Sequence, residues 1–256
     1  MFEPDWPAPP GVRALCTTRE GGVSAAPFDS LNLGDHVGDD PAAVQANRAA
    51  LARAVGARPV FLRQVHGTQV VHLGADTSDG TEADACISAQ PGVACTIMVA
   101  DCLPVLLAHR GGRVVAAAHA GWRGLADGVL EAVFERFWPL DQAGQALDAT
   151  ETIAWLGPCI GPRAFEVGPE VRAAFCGRDA GAAACFAAHG GGKYLADLAG
   201  LARRRLAQLG VTAVYGNDGS APWCTVGNAA RFFSHRRDTR ALGGSGRLAA
   251  CVWLAS

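Results

Sequence analysis

The sequence predicts an α/β fold, with a mixed sheet or a pair of mixed sheets covered by helices, as one domain over residues 1–256. Three observations predict it. Short apolar and β-branched runs follow one another through the first half of the chain. Helical stripes are interspersed with these runs along the chain, the pattern expected when sheets are covered by helices. The 32 glycines are dispersed as turn formers, with no repeat and no linker-like tract that would divide the chain.

Val12 to Thr18 reads as the first strand. A Gly- and Ser-containing loop without period follows, Arg19 to Gly34, and loops of that length commonly carry function. Asp40 can cap a helix whose first residue is Pro41, and Val44, Ala50, Leu51, Ala54 and Val55 share one face until Gly56 ends it. Strands are expected at Pro59 to Val65, Thr68 to Leu73, Ala83 to Ser88, Val93 to Ala100, Pro104 to Ala108 and Val114 to His119. Leu125, Val129, Ala132, Val133 and Phe137 form a helical stripe ahead of Pro139, and Tyr194 to Leu209 forms a second that stops at Gly210. Ile153 to Leu156, Val211 to Tyr215 and Leu248 to Leu254 complete the expected strands. Gly244-Ser245-Gly246-Arg247-Leu248-Ala249 imitates a dinucleotide-binding glycine pattern without the helix that must follow it, and reads as a hairpin turn.

A chain of 256 residues can bury roughly three quarters of its unfolded surface, so a metal is not required merely to fold it. Charged residues make up 18% and the formal net charge is -2, which provides no basic field for a nucleic-acid backbone and leaves small neutral or anionic metabolites as partners. The longest apolar candidate for a membrane span, between Asp84 and Asp101, holds 16 residues and is broken by Gln90, Pro91 and Gly92; no membrane association is expected. Nine cysteines, odd in number and irregular in spacing, with no basic and apolar signal segment before Gly11, fit a reducing, cytoplasmic setting.

Three polar residues stand at the ends of expected strands: His66 before Gly67, Cys102 before Leu103-Pro104, and His119 before Ala120-Gly121. Two imidazoles and a thiolate suit zinc, and three protein ligands leave a fourth position for water or substrate, the mark of a catalytic site. The same residues can be hydrogen-bonded rim histidines and a buried cysteine. Spacings of 36 and 17 positions are longer than the motifs that identify a metal site locally, so both readings stand. A third keeps the residues without a metal, with Cys102 as a nucleophile activated by His119, and a fourth has zinc merely organising the surface of a binding protein. His72, His109 and His189 have no metal partners nearby in sequence and read as surface or structural residues. The absence of a Gly-rich phosphate loop, a Gly-x-Ser-x-Gly elbow and a Cys-x-x-Cys pair removes kinase, serine-hydrolase and thioredoxin-like readings.

Nine ordered motifs resemble those of the YfiH/laccase-domain family. They are Gly21-Gly22-Val23-Ser24, Ser30-Leu31-Asn32-Leu33-Gly34, His36-Val37-Gly38-Asp39-Asp40-Pro41, Gln64-Val65-His66-Gly67, Asp101-Cys102-Leu103-Pro104, His119-Ala120-Gly121-Trp122-Arg123-Gly124, Gly157-Pro158-Cys159-Ile160-Gly161, Phe165-Glu166-Val167-Gly168 and Phe232-Phe233-Ser234-His235-Arg236. The resemblance implies a YfiH-like α/β sandwich and a mononuclear zinc, one per chain, at His66, Cys102 and His119. Members of the family carry three functional descriptions: polyphenol oxidase or laccase, purine nucleoside phosphorylase with adenosine deaminase activity, and peptidoglycan editing factor.

The residues rank these chemistries. A multi-copper oxidase needs clusters of His ligands, and of seven histidines only two fall in the constellation, so copper and the oxidase rank last. Deamination needs an activated water and a proton-carrying carboxylate, for which Asp101 beside Cys102 is the candidate, with a turn-capping role as its alternative. Phosphorolysis needs an anion pocket. Arg123 and Arg19 are candidates because a guanidinium offers paired donors to phosphate, and either can equally be a surface charge. Ser24, Asn32 and His36 are candidates for binding the ribose or base, and Trp122 can stack on a base or anchor packing. With the oxidase ranked last, the resemblance implies a zinc enzyme that acts on adenosine, inosine and methylthioadenosine by phosphorolysis and also deaminates adenosine. A cell-wall-precursor amidase is its runner-up, followed by the cysteine hydrolase.

Overall fold

The apolar runs in the middle of the chain become strands buried along their whole length. In the computed structural model, which describes residues 1–137 and 149–255, β5 (Val93–Val99), β6 (Leu103–His109) and β7 (Val115–Ala120) are buried at every position. Strands without a solvent face must be covered on both sides, and they are. A four-stranded sheet runs in the order β1 (Val12–Cys16), β13 (Leu248–Leu254), β5, β2 (Arg58–Phe61). A six-stranded sheet runs in the order β12 (Ala213–Gly216), β8 (Thr152–Leu156), β6, β7, β4 (Ala85–Ser88), β3 (Val70–His72). Most pairs are antiparallel, while β2 with β5, β3 with β4 and β12 with β8 are parallel.

The two sheets face each other across a core that includes Val60, Ile97, Leu106, Val115, Trp155 and Val252. On the outer side of the four-stranded sheet, Leu51 and Val55 of α1 (Pro41–Val55) pack on Phe61, Met98 and Trp253. On the outer side of the six-stranded sheet lie α2 (Trp122–Asp127), α3 (Val129–Phe137), α4 (Pro169–Cys176) and α5 (Leu198–Gln208), which bury Leu125, Phe134, Phe175 and Leu206 against Leu103, Val105 and Ala118. A small antiparallel sheet of β10 (Phe186–His189), β11 (Lys193–Ala196) and β9 (Glu166–Val167) extends this side. All nine cysteines are free thiols. Among the described residues no helix is long and apolar enough to cross a membrane.

Several boundaries differ from those expected, each for a physical reason. α1 begins and ends as expected, capped by Asp40 and closed by Gly56 at φ 66°. Its buried face carries Asn47 where Ala54 was expected, and Ala54 is exposed. The Asn47 side chain is satisfied by Ser24 Oγ, the Ser30 and Asn32 carbonyls and the Val23 N–H, and so fastens the long early loop to the helix. The helical stripe from Leu125 is two helices, broken at Gly128 with φ 105°; Pro139, expected to stop it, lies outside the described residues. Tyr194 and Leu195 are in β11, because β9 and β10 supply strand partners that outweigh helical periodicity, and the helix proper starts after Asp197. No hairpin forms at Gly244: the short helix α6 (Arg240–Leu242) precedes it, and β13 pairs with β1 and β5.

Candidate metal centre

Two of the three metal-ligand candidates lie where the chain crosses between the sheets. His66 is on the crossing from β2 in the four-stranded sheet to β3 in the six-stranded one, and Cys102 is on the crossing from β5 to β6. His119 is near the end of β7, where it registers opposite Pro104, so it lies at the same end of the sheet as Cys102. One edge of the sandwich thus collects all three. Their ligand atoms lie within 4.8 Å of one another, with Cys102 Sγ 3.7 Å from His66 Nε2 and the two imidazole rings 4.7 Å apart between centroids.

Among the described residues, the non-glycine residues with positive φ are His66 at 63° and Asp101 at 85°. That conformation costs a non-glycine residue on the order of 1–3 kcal/mol and persists only where surrounding bonds impose it. Around His66 those bonds come from Asp84, a fully buried carboxylate. It accepts from the N–H groups of Val65 (3.1 Å), His66 (2.9 Å) and Gly67 (2.7 Å), and its Oδ1 is 2.8 Å from His119 Nδ1. Asp101 is held by Thr225 Oγ1 and the Arg236 N–H, each donating to one of its carboxylate oxygens at 2.6 Å.

The electrostatics favour a charged centre. Burial alone would push the Cys102 thiol up, but the His119 and His66 imidazoles beside it outweigh that and bring it down to about 6. Burial opposes charge on His119 as well, yet the Cys102 sulfur and the Asp84 carboxylate raise its imidazole to about 9. Asp84 is itself held below the usual carboxylate range: desolvation acts against this and is outweighed by His119 and the backbone N–H groups. Close approach is required throughout. A Cβ on Gly121 would stand 2.9 Å from His66 Cδ2 and 3.0 Å from Cys102 Sγ, and one on Gly124 would stand 2.8 Å from the Gly67 carbonyl oxygen.

The three residues open on a cavity of about 330 Å³, within the range of small-ligand pockets. Met98, Trp122 and Phe165 give it apolar and aromatic walls, while His36, Asp101, His235, Arg236 and Arg247 bring polar groups to it. Of the residues expected to meet substrate, His36 and Asp101 are therefore at the cavity. Arg19, Ser24, Asn32 and Arg123 are not among its lining. The Arg19 guanidinium is bound to Asp29 and to the Ala229 carbonyl and lies over Phe233. Ser24 accepts from Asn47. Buried Asn32 bonds Gly34 and Asp39 and accepts from the Arg247 N–H at 2.8 Å, which makes it a support for a cavity residue. Arg123 is exposed, its guanidinium 4.5 Å from the Trp122 ring centroid. His72 and His189 are exposed; His109 is buried and accepts from the Gly111 N–H.

Sequence reasoning missed Asp84, His235, Arg236 and Arg247. A charged residue inside the apolar run Ala83-Asp84-Ala85-Cys86-Ile87 was the available signal for the first, because a carboxylate is buried only where partners satisfy it. His235 and Arg236 belong to a motif quoted above but fall in a single wide turn of π-helix, His235–Thr239, that periodicity does not reveal. Arg247 has no local signal, since its place depends on Asn32, which is 215 positions away.

Comparison with known proteins adds a family and relatives. Residues 13–255 match the family model described as multi-copper polyphenol oxidoreductase laccase. The chain is 55% identical over 252 residues to a protein of Pseudomonas aeruginosa named purine nucleoside phosphorylase, covering 98% of this chain and 97% of that one. It is 50% identical over 256 residues to the purine nucleoside phosphorylase YfiH of Escherichia coli, covering 99% and 98%. Among solved structures, a Neisseria meningitidis protein superposes with a TM-score of 0.90 at 46% identity, covering 100% of this chain and 99% of that one. A Bacillus licheniformis protein YfiH superposes with a TM-score of 0.83 at 27% identity, covering 95% and 92%.

Proposed function

Because the chain belongs to the family described as multi-copper polyphenol oxidoreductase laccase, we propose that it is a zinc-dependent purine nucleoside phosphorylase that also deaminates adenosine. The observation that carries this reading is the convergence, in one cavity, of the His66–Cys102–His119 group with aromatic walls and two arginines. The names of the relatives support the nucleoside substrate. Among the described residues a single group of this kind is found, whereas oxidation of phenols by several coppers requires several. This supports the nucleoside reading over the oxidase that the family description names.

The donor set suits zinc. Zn–N distances of about 2.0–2.1 Å and a Zn–S distance of about 2.3 Å place tetrahedral ligand atoms roughly 3.5 Å apart, close to the 3.7 Å between Cys102 Sγ and His66 Nε2. Zinc held there by His66, Cys102 and His119 would supply a Lewis acid. The chain's own residues do the rest. Trp122 and Phe165 offer flat faces to a purine. Arg236 and Arg247, which line the cavity, are our candidates for the phosphate role expected of Arg19 and Arg123, which do not line it. In phosphorolysis a phosphate oxygen bonds C1′ as the C1′–N9 bond breaks and its electron pair goes to the departing purine, which takes a proton; His235, which lines the cavity, is our candidate to donate it. Asp101, with both oxygens engaged, positions Arg236.

Product analysis tests the proposal. Adenosine with phosphate is expected to give adenine and ribose 1-phosphate, and adenosine without phosphate to give inosine and ammonia; inosine and methylthioadenosine should undergo phosphorolysis in the same way. Replacing Arg247 by Ala should reduce the phosphate-dependent product by about tenfold to a hundredfold, the loss of one charge-assisted contact, and spare much of the deamination. If zinc-replete protein forms neither product and instead releases an amino acid from a nucleotide-linked muramoyl compound, the amidase replaces the nucleoside enzyme.

A further inference from the structure

We propose that Asp84 is the positioning residue of the metal centre: one buried carboxylate places two of the three ligands and fixes which nitrogen of His119 faces the ion. This inference rests on reading His66, Cys102 and His119 as metal ligands.

The geometry is specific. Asp84 immediately precedes β4. It has no exposed surface, so its charge must be met by hydrogen bonds. Four donors meet it. Three are consecutive backbone N–H groups, Val65, His66 and Gly67, on a stretch of chain with no strand or helix of its own. Without the carboxylate, that stretch has no bond from Asp84 to hold His66 in its left-handed conformation. The fourth donor is the His119 ring, whose Nδ1 is 2.8 Å from Asp84 Oδ1. A carboxylate accepts and does not donate, so Nδ1 carries the hydrogen and Nε2 is left with its lone pair for an ion. The backbone adds a further link, since the His119 N–H donates to the Asp84 carbonyl at 2.7 Å. Charge agrees with position. A divalent ion with two neutral imidazoles and one thiolate carries one net positive charge, and the Asp84 carboxylate cancels it in a region removed from water.

The experiment compares zinc affinity in the full-length wild-type chain and Asp84→Asn, by competition with a chromophoric chelator. The Asn side chain has the same shape but keeps one acceptor and turns an NH2 group toward donors. Zinc affinity should fall about tenfold to a hundredfold, the usual cost of losing a carboxylate behind a histidine ligand. Asp84 in a merely structural role would change the unfolding temperature of the metal-free chain and leave the affinity alone. A wild-type measurement covers the case in which the variant fails to fold. Nitrogen NMR of the zinc-loaded wild type should show His119 protonated at Nδ1 with zinc on Nε2. Unchanged affinity in folded Asp84→Asn, or His119 carrying its hydrogen on Nε2, overturns the inference while the metal reading survives. A wild-type chain that binds no zinc overturns both.

Discussion

At the scale of single residues, the site is a set of groups that shift one another's proton affinity. Cys102 shows this most directly. In the zinc-free chain its thiol ionises as pH rises through about 6, because burial, which acts the other way, is outweighed by His119 and His66. The thiolate is the form that alkylates, so labelling of metal-free Cys102 with iodoacetamide should be low at pH 5 and near its plateau at pH 7. Zinc should protect it across the whole range. Mass spectrometry of the labelled peptide checks both, and a rate that climbs only near the ordinary thiol value would contradict the placement of His119. Rapid labelling with zinc bound would instead favour the cysteine hydrolase. Position at the ends of expected strands, just ahead of a Gly or Pro, made His66, Cys102 and His119 candidates, and the family resemblance made them a ligand set. Neither could bring out Asp84, whose four donors come from two segments that are distant in sequence and meet only in the fold.

At the scale of elements, the centre depends on how closely α2 approaches the crossing that carries His66. Gly121 caps the start of α2 and Gly124 lies in its first turn, and the two approach the Cys102 sulfur, the His66 ring and the Gly67 carbonyl. Replacing Gly124 by Ala sets two effects against each other. Ala in a helix is favoured over Gly by about 1 kcal/mol, while forcing a methyl to within 2.8 Å of a backbone oxygen costs about 1–3 kcal/mol. The Gly67 N–H is held by Asp84 at 2.7 Å, which resists displacement of this stretch, so the second effect should win. Chemical denaturation of Gly124→Ala should therefore show a net loss of up to about 2 kcal/mol, and a more stable variant would mean that the loop yields. Strands such as β5, β6 and β7 were legible because burial on both faces leaves long apolar runs. β9 and α4 were not, since the first has two residues and the second buries only Val171 and Phe175.

At the scale of the whole molecule, the sandwich matters to function because the chain passes between its sheets at the edge where β7 also ends. The crossings β2 to β3 and β5 to β6 deliver His66 and Cys102, and the start of β13, which registers opposite Val99, delivers Arg247 to the same edge. An alternation of strands and helices predicts layers, which are present. It does not predict which loops share an edge, because that is set by register and sheet order, and this is why Arg236 and Arg247 were not legible as cavity residues. We propose that this edge holds one zinc ion by two imidazoles and a thiolate. X-ray absorption at the zinc edge, on purified protein whose metal content has been measured, tests it most directly. About one zinc per chain is expected, with one sulfur at about 2.3 Å and two nitrogen ligands at about 2.0–2.1 Å, and with the sulfur signal lost in Cys102→Ser. Several copper ions per chain, or zinc surrounded by oxygen and nitrogen with no sulfur, would contradict it.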